Sequence, residues 1–334
     1  MWQDAVRKEQ NMPTQTDTNP FKYSDSNKRY YSYDYFLRMK FGGKCAKLPL
    51  DCGFTCPNRD GSKGVGGCVY CSERGSGDFC SDPHTPIAKQ LEDAYLKLSK
   101  KWESPLCIAY FQAFTNTYAP VAVLKEKFGA VLERNAEGPA IVGINIATRA
   151  DCLPSDVCEY LAELAEQTFL TVELGLQSVH DKTANTINRC HTYSDFLDGY
   201  NRLRQASDKI NIGVHLINGL PGETADMMLD SAREVADLKP DLLKLHLLHV
   251  IDGTPLADMY RRGEFNCLSL EEYADTVVRQ LEVMPPETVI GRLTGDGMAD
   301  TLIAPEWSRK KLVVMNTIDK LMYERNTWQG RLRS

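Results

Sequence analysis

Cys56-Pro57-Asn58-Arg59-Asp60-Gly61 opens the stretch of this chain that decides its fold, and Gly66-Gly67-Cys68-Val69-Tyr70-Cys71 closes it. Eleven residues separate Cys56 from Cys68, and two separate Cys68 from Cys71. Three thiolates on one short loop have the right number to hold three irons of a four-iron four-sulfur cluster and to leave the fourth iron open. Because an open iron can bind a small molecule directly, this pattern indicates chemistry rather than electron storage alone.

A structural zinc site is the alternative interpretation of the same loop. Cys52 lies four residues before Cys56, so that Cys52, Cys56, Cys68 and Cys71 supply the four thiolates of a tetrahedral site. The spacing alone leaves both possibilities open. They differ in what they require of Cys52, because a zinc site needs it as much as Cys56 and a three-thiolate cluster does not need it.

The composition is that of a globular protein. The chain has 334 residues, of which 43% are apolar, and this length is enough to bury a large core. The sequence contains no run of about 18 apolar residues, so no membrane span is predicted. The cysteine count is eleven, an odd number, and the N-terminus lacks the apolar stretch of a signal peptide. These features predict a reducing, cytoplasmic location without membrane partners.

The charge of the chain does not indicate clearly whether it binds nucleic acid. The net charge of −6 is not that of a typical nucleic-acid-binding protein. Residues 307–334 nevertheless hold seven Lys or Arg against two acidic residues, and this surplus could contact phosphates or simply form the solvated face of a terminal helix. The aromatic run Tyr30–Phe36 could pack on a core or stack on a base.

Strands and helices alternate over most of the chain. Residues 1–28 are polar and predict a disordered leader, with order beginning near Arg29. The apolar pattern then predicts helices between strands at 47–50, 106–111, 140–147, 169–174, 210–217, 242–250 and 288–293. Such alternation implies parallel pairing, and an α/β partial barrel open on one side fits it better than a doubly wound sheet. The predicted core spans 29–260, and 261–334 forms an extension with a helix, a strand and a basic terminal helix.

Polar side chains recur at the carboxyl ends of these strands, where barrel enzymes have their active sites. Gln112 and Thr115 follow the second predicted strand, and Thr148 follows the third. Gln177 follows the fourth, and His215 lies in the fifth. Residues His246 and His249 follow on the sixth strand, where their odd spacing predicts that one points inward and one outward. A shared pocket at this edge of the sheet is therefore predicted.

Four motifs carry a resemblance to a known family. They are Gly53-Phe54-Thr55-Cys56-Pro57-Asn58-Arg59-Asp60-Gly61, Glu173-Leu174-Gly175-Leu176-Gln177-Ser178, Gly219-Leu220-Pro221-Gly222-Glu223-Thr224 and Arg292-Leu293-Thr294-Gly295-Asp296-Gly297. Together they resemble the radical S-adenosylmethionine (SAM) superfamily, in the branch near the Elongator catalytic subunit and coproporphyrinogen dehydrogenase. The resemblance is strongest to the YhcC-like family. It covers about residues 30–330 and implies a partial (β/α)6 barrel of radical SAM type.

The resemblance also implies the cofactors and their ligands. Cys56, Cys68 and Cys71 match the residues that bind the 4Fe-4S cluster, although the usual Cys-x-x-x-Cys-x-x-Cys spacing is stretched. The open iron would bind SAM, whose cleavage by one electron gives a 5′-deoxyadenosyl radical that abstracts a substrate hydrogen. An electron donor of flavodoxin or ferredoxin type is implied as a partner. The chain departs from the family at Cys52, commonly alanine, and at Cys190, usually glycine.

Positions for SAM contacts follow from the same resemblance. Gln177 and Arg189 match residues that hold the ribose and the carboxylate. The segment from Gln112 to Thr115 replaces a glycine-rich loop that receives the methionyl amine. Tyr70 is expected to cover the adenine, and the turn 219–222 either contacts adenine or only connects two elements. Thr148 and His215 complete the set of expected cofactor contacts.

Three functions remain open at this point. The first is a radical SAM enzyme that modifies the side chain of the tRNA wobble uridine, for example by converting carboxymethylaminomethyl to aminomethyl. The second is the same chemistry on a small metabolite or a tetrapyrrole. The third is a non-catalytic protein with a structural zinc. The residue pattern says nothing firm about the oligomeric state, and the resemblance favours the first function.

Overall fold

A computed structural model describes residues 19–75, 77, 80–100, 106–133, 138–295, 297 and 300–333. Within these residues the strands are β1 Cys45–Leu50, β2 Leu106–Phe111, β3 Ile141–Thr148, β4 Phe169–Gln177, β5 Asn211–Asn218, β6 Leu242–Leu247, β7 Val250–Ile251, β8 Val289–Arg292 and β9 Leu302–Ala304. The α-helices are α1 Tyr33–Phe41, α2 Ile87–Ser99, α3 Val121–Leu132, α4 Ser155–Ala165, α5 Asp181–Thr186, α6 Tyr193–Ala206, α7 Ala225–Leu238, α8 Pro255–Arg261, α9 Leu270–Val283 and α10 Lys311–Glu324. Short 3-10 helices cover Ala150–Cys152 and Glu306–Arg309.

Seven of these strands form one parallel sheet that curls into an open half-barrel. The strand order is β1-β2-β3-β4-β5-β6-β8, so that strands β1 to β6 are neighbours in chain order. This order arises because, after each strand, a crossover segment brings the chain back to the amino ends of the strands, and the next strand then pairs in parallel beside the last one. The predicted α/β partial barrel is therefore confirmed.

The two faces of the sheet have different chemistry. Along β4, Val172 and Leu174 are buried in the main apolar core with the helices, whereas Glu173 between them lies on the opposite face. On β6, Leu243 and Leu245 pack in that core, and Lys244 faces the inside of the half-barrel. Alternation with a period of two thus sends apolar side chains outward and polar side chains inward. The inside of the half-barrel is the place where a site can form.

The predicted boundary between the core and the C-terminal extension, at residue 260, falls within the seven-stranded sheet. Beyond it the expected helix, strand and terminal helix are present as α9, β8 and α10, but β8 pairs with β6 as the seventh strand. Helix α1 contacts both β1 and β8, the two edge strands of the half-barrel. Ile290 N also donates to Tyr31 O at 2.7 Å. The C-terminal segment is accordingly part of the barrel rather than an addition to it.

The N-terminal segment is ordered earlier than expected. Residues 1–18 of the predicted leader lie outside the described residues, but from Asn19 the chain is folded. Phe21 is buried, and Lys28 forms an ion pair with Asp319 of α10. The ordering comes from contacts with α10, which are too distant in sequence to be read from a polar composition.

The aromatic run and the basic C-terminal segment are used for packing. Tyr31 stacks on Tyr23 with ring centroids 4.8 Å apart, and Phe36 lies against Phe169 at 6.0 Å. Arg325 and Arg333 pair with Asp275 and Asp237 at 2.6 and 2.7 Å. These contacts account for Tyr31, Phe36, Arg325 and Arg333 without RNA. In the part of the chain that the structure describes, no helix is long and apolar enough to cross a membrane.

Candidate functional site

The cysteine loop follows β1 and is anchored at several points. The Arg59 guanidinium donates to Ser72 O at 2.5 Å, and Cys71 N donates to Cys68 O at 3.0 Å. Gly67 has a φ of +79°, and a Cβ there would lie 2.8 Å from the Arg59 Nε, so glycine is needed for this close approach. Val69 N donates to Ile187 O at 3.1 Å at the end of α5. The loop is thereby fixed over the open end of the half-barrel.

Cys56, Cys68 and Cys71 are free and line a single cavity. Burial raises the pKa of the Cys68 thiol, and burial together with Cys68 raises the pKa of Cys71 to about 12. The neutral thiols of Cys68 and Cys71 are therefore favoured in the protein alone, and bound iron would deprotonate them. Asn58 Nδ2 donates to Cys68 Sγ at 3.6 Å, a contact that stabilises a thiolate. The donor set and its placement fit an iron–sulfur cluster.

Cys52 is separated from this set. It packs in the main apolar core beside Leu50, and burial raises the pKa of its thiol. Over the described residues, no three His, Cys, Asp or Glu side chains converge closely enough to hold one metal ion. Cys52 does not line the cavity that Cys56, Cys68 and Cys71 share, and this separation favours a three-thiolate cluster over a four-thiolate zinc site.

The cavity has a volume of about 380 Å³ and extends from the three cysteines to Lys244 and Arg292. Every residue predicted to contact the cofactors lines it. They are Cys56, Cys68, Tyr70, Cys71, Gln112, Thr115, Thr148, Gln177, Arg189 and His215. The structure thus brings together side chains from the cysteine loop and from strands β2 to β5, while their individual roles stay predictions.

Two of these residues keep an unused polar atom. Arg189 is 1% exposed and donates from Nη1 to Ser178 O at 2.6 Å and from Nε to His191 O at 3.0 Å. Its Nη2 has no hydrogen-bond partner among the described residues and lies 3.7 Å from Asp181 Oδ1. Thr115 Oγ1 is likewise buried without a partner there. Such atoms await a ligand or water, as the predicted carboxylate and amine contacts require.

Other predicted contacts are already engaged. The Thr148 hydroxyl shares a hydrogen bond of 2.6 Å with Thr117, and Gln112 Nε2 donates to Cys80 Sγ at 3.5 Å. Gln177 ends β4 beside a bulge with a φ of +64°, a conformation that costs an L-residue energy. A Cβ on Gly175 would lie 2.6 Å from Gln177 Nε2. The Gln177 amide therefore lies over Gly175 on the cavity side of the strand.

The segment that carries Arg189 is fixed by an ion pair behind it. Arg149 pairs with Asp151 through two contacts of 2.9 Å and donates to Arg189 O at 2.9 Å. Although burial opposes it, Arg149 lowers the pKa of Asp151 to about 2, so that this carboxylate stays ionised. The pair holds the backbone of residue 189 and hence the direction of its guanidinium.

A set of inward side chains on the strands forms what we call the polar layer, and apart from His215 its members were not assigned to the site from the sequence. Each strand of the seven-stranded sheet supplies one member: Lys47, Tyr110, Asn145, Glu173, His215, Lys244 and Arg292. Glu173 lies at its centre and is fully buried. A charged residue inside an otherwise apolar strand, such as Lys244 in Leu-Leu-Lys-Leu-His-Leu, was the available signal.

Glu173 is ionised and saturated with donors. Its Oε1 accepts from Lys47 at 3.1 Å and Asn145 at 2.9 Å, and its Oε2 accepts from Tyr110 at 2.7 Å. Lys244 and His215 also donate to Oε2. Although burial raises the pKa of Glu173, Lys244 and Lys47 outweigh it and hold that pKa well below its usual value.

The two histidines at the end of β6 differ from expectation, whereas the segment 219–222 matches the second of its two alternatives, a connecting turn. Both His246 and His249 line the cavity, because β6 ends at Leu247 and its alternation does not extend to His249. The segment 219–222 does not line it. Gly219 and Gly222 have φ of +89° and +83°, and Glu223 N donates to Leu220 O, as in a tight turn. Its role is to connect β5 to α7.

Comparison with known proteins agrees with this site. Residues 56–235 match the Radical SAM superfamily, and residues 240–324 match the Radical_SAM C-terminal domain. The chain is 48% identical to YtqA of Bacillus subtilis (strain 168) over 94% of this chain and 95% of that protein. It is 35% identical to YhcC of Escherichia coli (strain K12) over 86% and 90%. The chain therefore belongs to the radical SAM superfamily and, within it, to the YhcC-like family.

A solved structure shows the same fold. The archaeal Methanocaldococcus infernus Elp3 with an N-terminal deletion is 18% identical with a TM-score of 0.64, covering 85% of this chain and 64% of that one. A tRNA uridine(34) acetyltransferase of the same organism is 28% identical over 48% of this chain and 30% of that protein. The cofactors of the superfamily, a 4Fe-4S cluster and SAM, are those of this chain, which is a radical SAM enzyme.

Proposed function

We propose that this protein removes the carboxymethyl group from the C5 side chain of the tRNA wobble uridine, converting carboxymethylaminomethyl to aminomethyl. The observation that carries the proposal is that the three thiols, the predicted SAM contacts and most of the polar layer line the same cavity. The similarity to a tRNA uridine(34) acetyltransferase supports tRNA as the substrate class.

The parts of the cavity have distinct tasks in this proposal. Cys56, Cys68 and Cys71 hold the cluster, and the Nη2 of Arg189, which has no hydrogen-bond partner among the described residues, pairs with the SAM carboxylate. When bound, these cofactors supply a carbon radical that takes a hydrogen atom from the substrate. The protein's own contribution is to hold the uridine side chain in the cavity and to exclude water from it.

The proposed reaction balances in atoms and in electrons. The carbon between the amine and the carboxylate loses two electrons, one with the abstracted hydrogen atom and one to the oxidised form of a redox partner of flavodoxin or ferredoxin type, and the reduced form of that partner supplies the one electron that cleaves SAM. Water then hydrolyses the C–N bond, which leaves the aminomethyl group on the uridine and releases a two-carbon aldehyde acid. A cytoplasmic location, where free thiols and tRNA coexist, belongs to the same proposal.

The test uses protein reconstituted with iron and sulfide without oxygen, and supplied with SAM, dithionite and tRNA that carries carboxymethylaminomethyluridine. We expect 5′-deoxyadenosine and, after digestion of the tRNA, aminomethyluridine by mass spectrometry. Cys56→Ala should abolish both products, whereas the matched variant Cys52→Ala should keep them, because Cys52 lies in the apolar core. SAM cleavage that leaves the tRNA nucleoside unchanged would point to a small-molecule substrate. Equal loss in both cysteine variants would contradict the three-thiolate assignment.

A further inference from the structure

The eleven residues 57–67, which separate the first two cysteines of the loop, fold back on themselves. Lys63 N donates to Pro57 O at 2.9 Å, and Gly67 N donates to Asn58 O at 2.8 Å. These bonds bring the end of the segment beside its beginning. Asn58 is fully buried although it belongs to a loop. A buried amide needs hydrogen-bond partners, and the partners of Asn58 indicate its role.

The Asn58 amide donates in two directions. Its Nδ2 donates to the backbone oxygen of Asn188 and to Cys68 Sγ, the latter at 3.6 Å. Because a carbonyl oxygen can only accept, the NH2 group of the amide and not its oxygen must face Asn188. The NH2 group carries two hydrogens, so each acceptor receives one. The donation to the cysteine sulfur is thus fixed by a backbone contact that does not depend on a bound group.

The position of this amide is enforced from both sides. Asn188 donates from its own Nδ2 to Gly67 O at 2.8 Å and to Val65 O at 3.2 Å, which ties the far end of the segment to the same residue. Gly64 passes so close to the Asn58 Oδ1 that a Cβ at residue 64 would clash with it. The Asn58 side chain is therefore held against the sulfur by the surrounding backbone.

A hydrogen bond to a cysteine sulfur acts on the charge of the cluster that the sulfur binds. Reduction adds one electron, and part of the added negative charge falls on the cysteine sulfurs. A donor to one of these sulfurs stabilises the reduced form more than the oxidised form, so it raises the reduction potential. Burial of the Asn58 amide strengthens such a bond, because the local dielectric is low. Tyr70 is a second donor to the Cys68 sulfur and acts in the same direction.

We propose that Asn58 is a positioning residue that raises the reduction potential of the 4Fe-4S cluster through its hydrogen bond to Cys68 Sγ. This inference goes beyond the proposed function, because it concerns the cluster of a radical SAM enzyme and not the substrate. A higher potential lets a weaker reductant of flavodoxin or ferredoxin type supply the electron that cleaves SAM. The long spacing between the first two cysteines then serves electron transfer as well as the geometry of the site.

The test is a redox titration of the protein reconstituted with iron and sulfide, without SAM or tRNA. The electron paramagnetic resonance (EPR) signal of the reduced cluster follows the titration. Asn58→Leu removes the donor and keeps a side chain of similar size. We expect the equilibrium constant for reduction to fall by about 10-fold, which lowers the midpoint potential by about 59 mV for one electron.

Asn116→Leu is the matched control. Asn116 is also a fully buried asparagine, and its Nδ2 donates to Ala113 O at 3.0 Å and to Ala147 O at 2.9 Å. Because these acceptors are backbone oxygens and Asn116 does not line the cavity, its loss should leave the midpoint potential at the wild-type value. An equal shift in Asn58→Leu and Asn116→Leu would assign the effect to the loss of any buried amide and would overturn the inference.

The sign of the shift separates the hydrogen bond from a simple loss of structure. A loop that opens admits water, and water stabilises the more highly charged reduced form, so the midpoint potential would rise. An unchanged or raised midpoint in Asn58→Leu therefore contradicts the role of Asn58.

A second measurement needs no variant and applies if Asn58→Leu does not retain its iron. Wild-type protein is labelled with a heavy nitrogen isotope in its asparagine side chains, and pulsed EPR of the reduced cluster should detect coupling to that nitrogen. Absence of the coupling would rule out the hydrogen bond to the cluster ligand. Neither measurement involves tRNA, so the inference and the proposed function succeed or fail separately.

Discussion

Arg189 is flanked by two residues in the left-handed backbone region, Asn188 with φ of +53° and Cys190 with φ of +57°. This pair of turns carries the Arg189 guanidinium into the cavity and its carbonyl toward Arg149. Cys190 stands where the family usually has glycine, and its φ supplies the reason for that glycine. The cost of an L-residue in this conformation is about 1–2 kcal/mol.

Substitution at Cys190 should show this cost. Cys190→Gly relieves the strain but adds the entropy of glycine in the unfolded chain, about 0.5–1 kcal/mol, so we expect the free energy of unfolding to change by less than about 1 kcal/mol. Cys190→Val places a β-branched residue at positive φ and should destabilise the protein by at least about 1 kcal/mol more. Urea unfolding measures both. Equal stability of the two variants would show that the backbone angle is not what constrains this position.

His191, the next residue, predicts a pH dependence of stability. Its imidazole is buried with no hydrogen-bond partner among the described residues, and burial together with Arg189 and Arg149 lowers its pKa from 6.5 to about 3. The unfolded chain therefore binds a proton below pH 6.5 that the folded protein refuses until about pH 3, so stability falls as the pH falls through this window.

We expect a loss of about 2 kcal/mol from this one group between pH 7.5 and pH 5. Leucine at position 191 binds no proton in either state. The decrease in the free energy of unfolding of His191→Leu between the two pH values should therefore be smaller than that of the wild type by the amount assigned to His191. Urea unfolding at both pH values gives the comparison. An unchanged slope in His191→Leu would assign the acid sensitivity to other groups.

At the scale of the strands, one inward side chain per strand builds the polar layer around Glu173. Ion pairs connect β1, β4 and β6, because Glu173 pairs with both Lys47 and Lys244. The centroid of the Tyr110 ring lies 4.7 Å from both ammonium groups. Removing one member of a buried ionic group leaves the other charges uncompensated, at a cost of about 3–5 kcal/mol. The layer therefore links the strands through charge as well as through backbone hydrogen bonds.

Glu173→Gln should lower the free energy of unfolding by that amount, because two buried lysines lose their counterion. Adding Lys244→Met removes one of these charges, and the double variant should be more stable than the sum of the two single changes by about 1–3 kcal/mol. Chemical denaturation of the wild type, the two single variants and the double variant completes this double-mutant cycle. Additive losses would mean that Glu173 and Lys244 do not interact.

At the scale of the whole molecule, the segment before α1 and the C-terminal segment meet at Gln329. Its Oε1 accepts from Tyr31 N at 2.9 Å, and its Nε2 donates to Pro285 O at 2.6 Å and to Thr288 O at 2.8 Å. One fully buried amide thus joins the segment before α1, the loop before β8 and the C-terminal segment. This junction lies at β8, the edge of the half-barrel.

Gln329→Leu should destabilise the protein by about 2–4 kcal/mol, since it leaves buried backbone groups without partners. Arg331→Gln is the matched control, because Arg331 is exposed and should change stability by less than about 0.5 kcal/mol. Thermal unfolding compares the two. A loss at Gln329 no larger than that at Arg331 would show that the termini do not stabilise the edge of the sheet.

The sequence by itself determined the alternation of strands and helices, the cysteine loop and the expected cofactor contacts, because these depend on local periodicity and on motifs read along the chain. The strands near 106–111 and 169–174 were predicted where β2 and β4 lie, since buried runs of apolar residues show directly. Only the tertiary structure decided that Cys52 lies in the core and that β8 completes the sheet. It also decided that Lys47, Glu173 and Lys244 meet, since residues that are far apart in the chain come together only when the sheet curls. Charge balance is a property of that three-dimensional arrangement, and no pattern within a single strand expresses it.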